Sequence, residues 1–145
     1  MKPKIRPDEP RRQPSNLLIR KLAPENKIKS EESEQASLVS WFRKTYKPVR
    51  ILHIPNGGKR DPITAAKMKV AGVSAGVPDL FIPEWGLWIE MKKSNGTISN
   101  ISDAQTDWMK YLGLVGYKCY VAYGCEHAKE LIVQFKGAHI DSLEN

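Results

Sequence analysis

Cysteine is scarce in this chain. Only Cys119 and Cys125 occur among its 145 residues. Their spacing is no disulfide framework and suits a reducing compartment. With His127 they also miss the standard zinc patterns, because no fourth ligand is evident. Long apolar runs are missing too. None approaches the roughly 20 residues of a membrane-spanning helix, so no membrane partner is expected. The basic N-terminus lacks the apolar segment of a secretory signal, which points to the cytoplasm. No internal repeat appears. What is present, 41% hydrophobic residues in 145, is enough for the core of one domain.

Acidic charge is thin at one end. Residues 1–30 hold nine Lys or Arg against three acids, which is +6 of the formal net +7. They also hold five of the ten prolines and few aliphatic side chains. This segment reads as a flexible or extended basic tail. Two roles fit it: an arm for phosphate backbones, or a solvated leader that aids solubility. Residues 31–145 are almost balanced, with fourteen basic against thirteen acidic side chains, and read as the folded domain.

Within that domain the local signals alternate. Ser30 caps a helix with Glu31 and Glu32 in its first turn, and Pro48 ends it near Tyr46. Its apolar face is Leu38, Trp41 and Phe42. Glu34 shares that inner face, where an acid is out of place unless something pairs with it. Val49–Ile54 reads as a strand. Pro55-Asn56-Gly57-Gly58 is a turn, followed by a helix from Asp61 or Pro62 to about Val70. Ser102-Asp103-Ala104-Gln105 has the form of a capping box and opens a helix to about Leu112. Tyr117–Tyr123 alternates as a strand, and Glu126–Phe135 is a last helix. The order is α-β-α-β-β-α-β-α, a mixed sheet with helices on its faces.

The two central strands carry the chemistry. Asp79–Ile82 and Leu87–Lys92 flank the turn Pro83-Glu84-Trp85-Gly86. Pairing Ile82 with Leu87 sets Asp79 opposite Glu90, where Cβ atoms are about 4.5–5.5 Å apart and like charges repel. Lys92 shares a face with Glu90. A hard divalent cation such as Mg²⁺ would relieve that repulsion. The plainer alternative is a salt-bridge cluster with Lys92 or Lys93.

Pro78-Asp79 followed by Glu90-x-Lys92 resembles the PD-(D/E)xK nuclease superfamily. Around it stand Ser33-Glu34-Gln35, the stretch His53 to Arg60, Gly76-Val77-Pro78-Asp79-Leu80, and Ser102-Asp103-Ala104-Gln105. In that order they resemble the VRR-NUC family, in its short single-domain phage and prophage members, over roughly residues 31–135. The resemblance implies an α/β, restriction-endonuclease-like core with a catalytic β-hairpin. It implies Mg²⁺, with Mn²⁺ substituting, held by Asp79, Glu90, the backbone carbonyl of Met91 and, directly or through water, Glu34. Lys92 would position the attacking water and stabilise charge. Gln105 would steady the site or the scissile phosphate, although the capping box needs Gln there in any case. Met109 stands where related nucleases often carry a tyrosine.

Asn56 and Gly57 resemble the family's glycine turn, and Lys59, Arg60 and Lys93 are candidate DNA contacts. His53 reads as a structural histidine. Trp85, at the hairpin tip, either stacks on a base or sits exposed. The expected activity is metal-dependent, structure-selective hydrolysis of branched or duplex DNA. For the short members the resemblance implies Holliday-junction resolution by a homodimer, whose two-fold symmetry supplies two cuts. Trp41, Phe42 and Trp108 are candidates for its interface or, equally, for the core. The alternatives are a flap or other structure-selective nuclease acting as a monomer, and a non-catalytic nucleic-acid-binding protein on the same fold.

Overall fold

The computed structural model describes residues 27–55 and 60–144, the last six of these as backbone only. Asn56, Gly57 and Lys59, and most of the basic tail, lie outside the described residues. The elements run α1 (Glu31–Thr45), β1 (Leu52–His53), α2 (Pro62–Val70), β2 (Leu80–Ile82), β3 (Leu87–Lys92), α3 (Asp103–Leu114), β4 (Lys118–Tyr123) and α4 (Cys125–Glu144). Short 3-10 turns at Pro83–Trp85 and Ile98–Asn100 join them. The four strands lie in the order β1-β2-β3-β4. The first two pairings are antiparallel and β3–β4 is parallel, with α3 as its crossover. This is the mixed α/β arrangement that the element order implied and that the resemblance expects of a restriction-endonuclease-like core.

The hairpin register is the expected one, with Ile82 against Leu87 and Leu80 against Ile89. Gly86 makes the turn in the left-handed region (φ 56°), which glycine adopts without steric cost. One face of the sheet is apolar. Leu80, Ile82, Leu87, Ile89, Met91 and Ala122 pack there against Leu38 and Phe42 of α1 and Ala128 and Ile132 of α4. Residues 34, 38 and 42 form the buried stripe of α1, a spacing of one helical turn. The other face carries Glu90 and Lys92, with α3 across it.

Several expectations are corrected. The first strand is two residues long, not six, because its partner β2 has only three residues between Pro78 and Pro83. Proline has no N–H to extend a ladder. The last helix runs through Gly137 to Glu144 instead of stopping at Phe135. One glycine in a helix costs about 1 kcal/mol relative to alanine, too little to end it. Phe42 is fully buried and is core, not interface. Trp85 is neither free nor poised for a base. It packs edge-on against Phe42 and Tyr46, with the Lys136 ammonium over its ring. Trp41 and Trp108 are half-buried; Trp41 meets Tyr46, and Trp108 donates its indole N–H to Ser74 Oγ.

Candidate active site

β3 delivers two functional side chains to one face. Glu90 and Lys92 are separated by one residue and alternate out of the apolar layer. They are 3% and 6% exposed, respectively. Lys92 Nζ lies 3.6 Å from Glu90 Oε1. Asp79 stands immediately before β2, where Ile54 N–H and His53 Nδ1 both reach its backbone carbonyl, at 2.8 and 2.9 Å. A carbonyl only accepts, so Nδ1 of His53 carries the proton. The Asp79 carboxylate turns across the hairpin and accepts from Met91 N–H at 2.8 Å.

Gln105 ties the acid and the lysine together from the opposite side. Its Nε2 donates to Glu90 Oε1 at 2.7 Å, and its Oε1 accepts from Lys92 Nζ at 3.1 Å. The same Oε1 accepts from Ser102 N–H, while Ser102 Oγ accepts from Gln105 N–H. One residue is therefore both the end of a capping box and the clamp on Glu90 and Lys92. The two readings of Gln105 hold together. Gly76 permits this closeness. At φ +88° it lies so near the start of α3 that a Cβ would sit 2.4 Å from the Ala104 carbonyl carbon. A side chain at position 76 would push the helix that carries Gln105.

The electrostatics are unfavourable without a counter-ion. The Glu90 carboxyl is pushed up to about 8, first by burial and then by the charge of Asp79. The Asp79 carboxyl is raised as well, by burial, against the stabilising Met91 N–H. Glu90 Oε2 is buried and has no hydrogen-bond partner among the described residues. An orphaned carboxylate oxygen beside a second raised carboxyl is what a hard cation satisfies. Among the described residues no three His, Cys, Asp or Glu side chains converge on one point. A set of two carboxylates still fits Mg²⁺, which usually keeps several waters and binds through one or two carboxylates plus a substrate phosphate. The Cys119 thiol, pushed up to about 12 by burial and then by Glu90, is unsuited to ligation.

The upstream acid Glu34 has a structural partner of its own. Glu34 is buried as anticipated, but its Oε2 accepts the Cys125 N–H at 2.7 Å. It thereby holds the N-terminus of α4, where a negative charge is favoured. The neighbouring Gly124 N–H holds the Lys92 carbonyl at 2.9 Å. Glu34 thus braces the end of β3 through the β4–α4 junction. Glu31, one turn earlier, is the helix acid whose charge adds to the upward shift of both Asp79 and Glu90. It lines two adjoining clefts. The first, of about 420 Å³, has Lys92, Lys93, Asn95, Gly96 and Asn100 along its wall. The second, of about 300 Å³, is bounded by Gln35, His53, Pro55 and Asp79.

Sequence reasoning treated Glu31 only as a helix-start acid. The available signal was its i,i+4 spacing to Gln35, which lines the second cleft with it. Lys93 and Arg60 are both exposed, Lys93 on the wall of the first cleft. Met109 is half-buried on α3. Cys119, Cys125 and His127 do not assemble into a metal site; His127 Nδ1 instead accepts the Tyr123 N–H.

Fold and site together define a nuclease-type domain on the restriction-endonuclease-like core. No family profile and no curated protein matches the chain. Among solved structures it is similar to a VRR_NUC domain protein, with 29% sequence identity and a TM-score of 0.61. The match covers 75% of this chain and 89% of that one. The resemblance to the VRR-NUC family is therefore borne out in three dimensions.

Proposed function

We propose that the protein is a divalent-metal-dependent endonuclease that hydrolyses phosphodiester bonds in branched DNA, with Holliday-junction resolution by a homodimer as its task. The observation that carries the reading is the convergence of Asp79, Glu90 and Lys92 with one buried Glu90 oxygen left without a partner among the described residues. The ion would be held by Asp79, Glu90 and the Met91 carbonyl, with Glu34 as the upstream acid, directly or through water. Such an ion polarises the scissile phosphate and makes a bound water nucleophilic. Lys92, fixed by Gln105, is placed to orient that water and to stabilise charge building on phosphorus-bound oxygens. Gln105 keeps Glu90 Oε1 engaged, which leaves Oε2 for the ion.

The substrate reading rests on size and symmetry. One domain carries one hairpin site, and resolution needs two cuts in strands of matching polarity, which a two-fold dimer supplies. A small domain of this kind reads backbone shape more than base sequence. Lys93 on the wall of the first cleft, Arg60, Asn56, Gly57, Lys59 and the basic tail are the proposed DNA contacts. Solution mass together with cleavage mapping on a four-way junction and a flap tests this. Paired nicks in opposed junction strands by a dimer support it. A monomer that prefers the flap would replace the substrate while leaving the catalytic residues in place.

A further inference from the structure

An apolar side chain stands fully outward on the loop that borders the site. Ile98 is 82% exposed, on the 3-10 turn Ile98–Asn100 between β3 and α3. An exposed isoleucine is unremarkable alone; the setting of this one is not. The turn is closed on both sides. Thr97 N–H donates to Asn100 Oδ1 at 2.7 Å, Asn100 N–H to the Thr97 carbonyl at 2.9 Å, and Ile101 N–H to the Ile98 carbonyl at 3.1 Å. Ser99 and Thr97 hydroxyls also meet at 2.7 Å. Asn100, Asn95 and Gly96 of the same loop wall the cleft that holds Lys92 and Glu31. One residue past the turn, Ser102 begins the second capping box, whose Gln105 grips Glu90 and Lys92.

Two capping boxes thus stand back to back. The first presents a rigid apolar knob and the second fixes the catalytic pair. An outward aliphatic side chain on a hydrogen-bonded turn, beside a polar cleft of about 420 Å³, has the form of a wedge. Such side chains enter between base steps and partly unstack them, at a cost lowest where stacking is already broken. A branch point is such a place. Asn95 and Asn100 line that cleft, and their amide groups are of the kind that contacts a strand's backbone.

We propose that Ile98 is a specificity-determining wedge that inserts against the terminal base step at a DNA branch point. The adjacent Asn95–Asn100 wall would hold that strand's phosphate near Lys92. The inference rests on the endonuclease reading above and deepens it: selectivity for branched DNA comes from a side chain outside the acid–lysine set.

The test uses the full chain and a four-way junction with 2-aminopurine at the branch, bound in Ca²⁺ to suppress cutting. A matched linear duplex serves as the reference. Unaltered protein should raise the probe's fluorescence, because unstacking relieves its quenching. Ile98→Ser should lose that rise, and in Mg²⁺ its ratio of junction to duplex cleavage should fall by roughly tenfold, the scale of one lost wedge contact. Ile98→Phe should keep both. Leu114→Ser, which removes an equally exposed apolar side chain far along α3, should change neither. Ile98→Ser protein that cuts with an unchanged ratio and full fluorescence would overturn the wedge alone. An unaltered protein that cuts no DNA in any divalent metal would overturn the endonuclease reading and the wedge with it.

Discussion

Glu90 is a carboxyl that folding has made hard to ionise, and its protonation has consequences that can be measured. Its pKa rises from 4.5 to about 8 in the folded protein, so the native state holds this proton more tightly than the unfolded chain. Stability from that proton is fully present below pH 4.5 and is lost as pH rises towards 8. The melting temperature of metal-free protein should therefore fall over that window, and Glu90→Gln should flatten the decline. A cation competes with the same proton, so Mg²⁺ should raise the melting temperature more at pH 8 than at pH 5. Thermal melts across pH, with and without Mg²⁺, check both. The two helix acids separate at this scale as well. Glu34→Ala leaves the Cys125 N–H buried without its acceptor, which costs about 1–3 kcal/mol. Glu31 is exposed and has no such hydrogen bond to lose among the described residues, so Glu31→Ala should leave the melting temperature near that of the parent. Paired melts of the two variants check this.

At the scale of elements, α3 and the Gly76 approach act as one part. Gly76→Ala forces a Cβ into the Ala104–Gln105 backbone and also demands a left-handed conformation that alanine disfavours. The variant should lose stability and lose cleavage beyond what its unfolded fraction explains, because Gln105 moves off Glu90 and Lys92. Comparing activity per folded molecule with the melting curve checks this. Much of this level was legible in the sequence. The caps at Ser30, Asp61 and Ser102, the hairpin register and the turn at residues 83–86 are local chemistry, and local chemistry is written in neighbouring residues. What was not legible depends on partners far along the chain. The length of β1 follows from the shortness of β2, and the burial of Trp85 follows from Phe42, Tyr46 and Phe135. Within the site, the opposition of Asp79 and Glu90, the shared face of Glu90 and Lys92 and the capping box ending at Gln105 were readable from spacing. The bond from Cys125 N–H to Glu34 was not, because its two ends lie far apart in the chain.

For the whole molecule, charge and symmetry set the expectations. The tail carries +6 of the net +7, and each phosphate contact contributes about −0.9 to the slope of log K against log salt. Removing residues 1–29, which keeps the Ser30 cap of α1 and takes away the same charge, should weaken DNA binding and flatten that slope while the domain stays folded; identical slopes would show that the tail does not touch DNA. The central claim is narrower: Asp79, Glu90 and Lys92 form a metal-dependent phosphodiesterase centre. It is tested most directly by cleavage of a labelled four-way junction in Mg²⁺, Mn²⁺ or EDTA, by the unaltered protein and by Asp79→Ala, Glu90→Ala and Lys92→Ala. The account predicts cutting only with a divalent ion, a loss of about 10²-fold or more in each variant, and DNA binding that survives Lys92→Ala. Robust cutting in EDTA, or by Glu90→Ala in Mg²⁺, would contradict it.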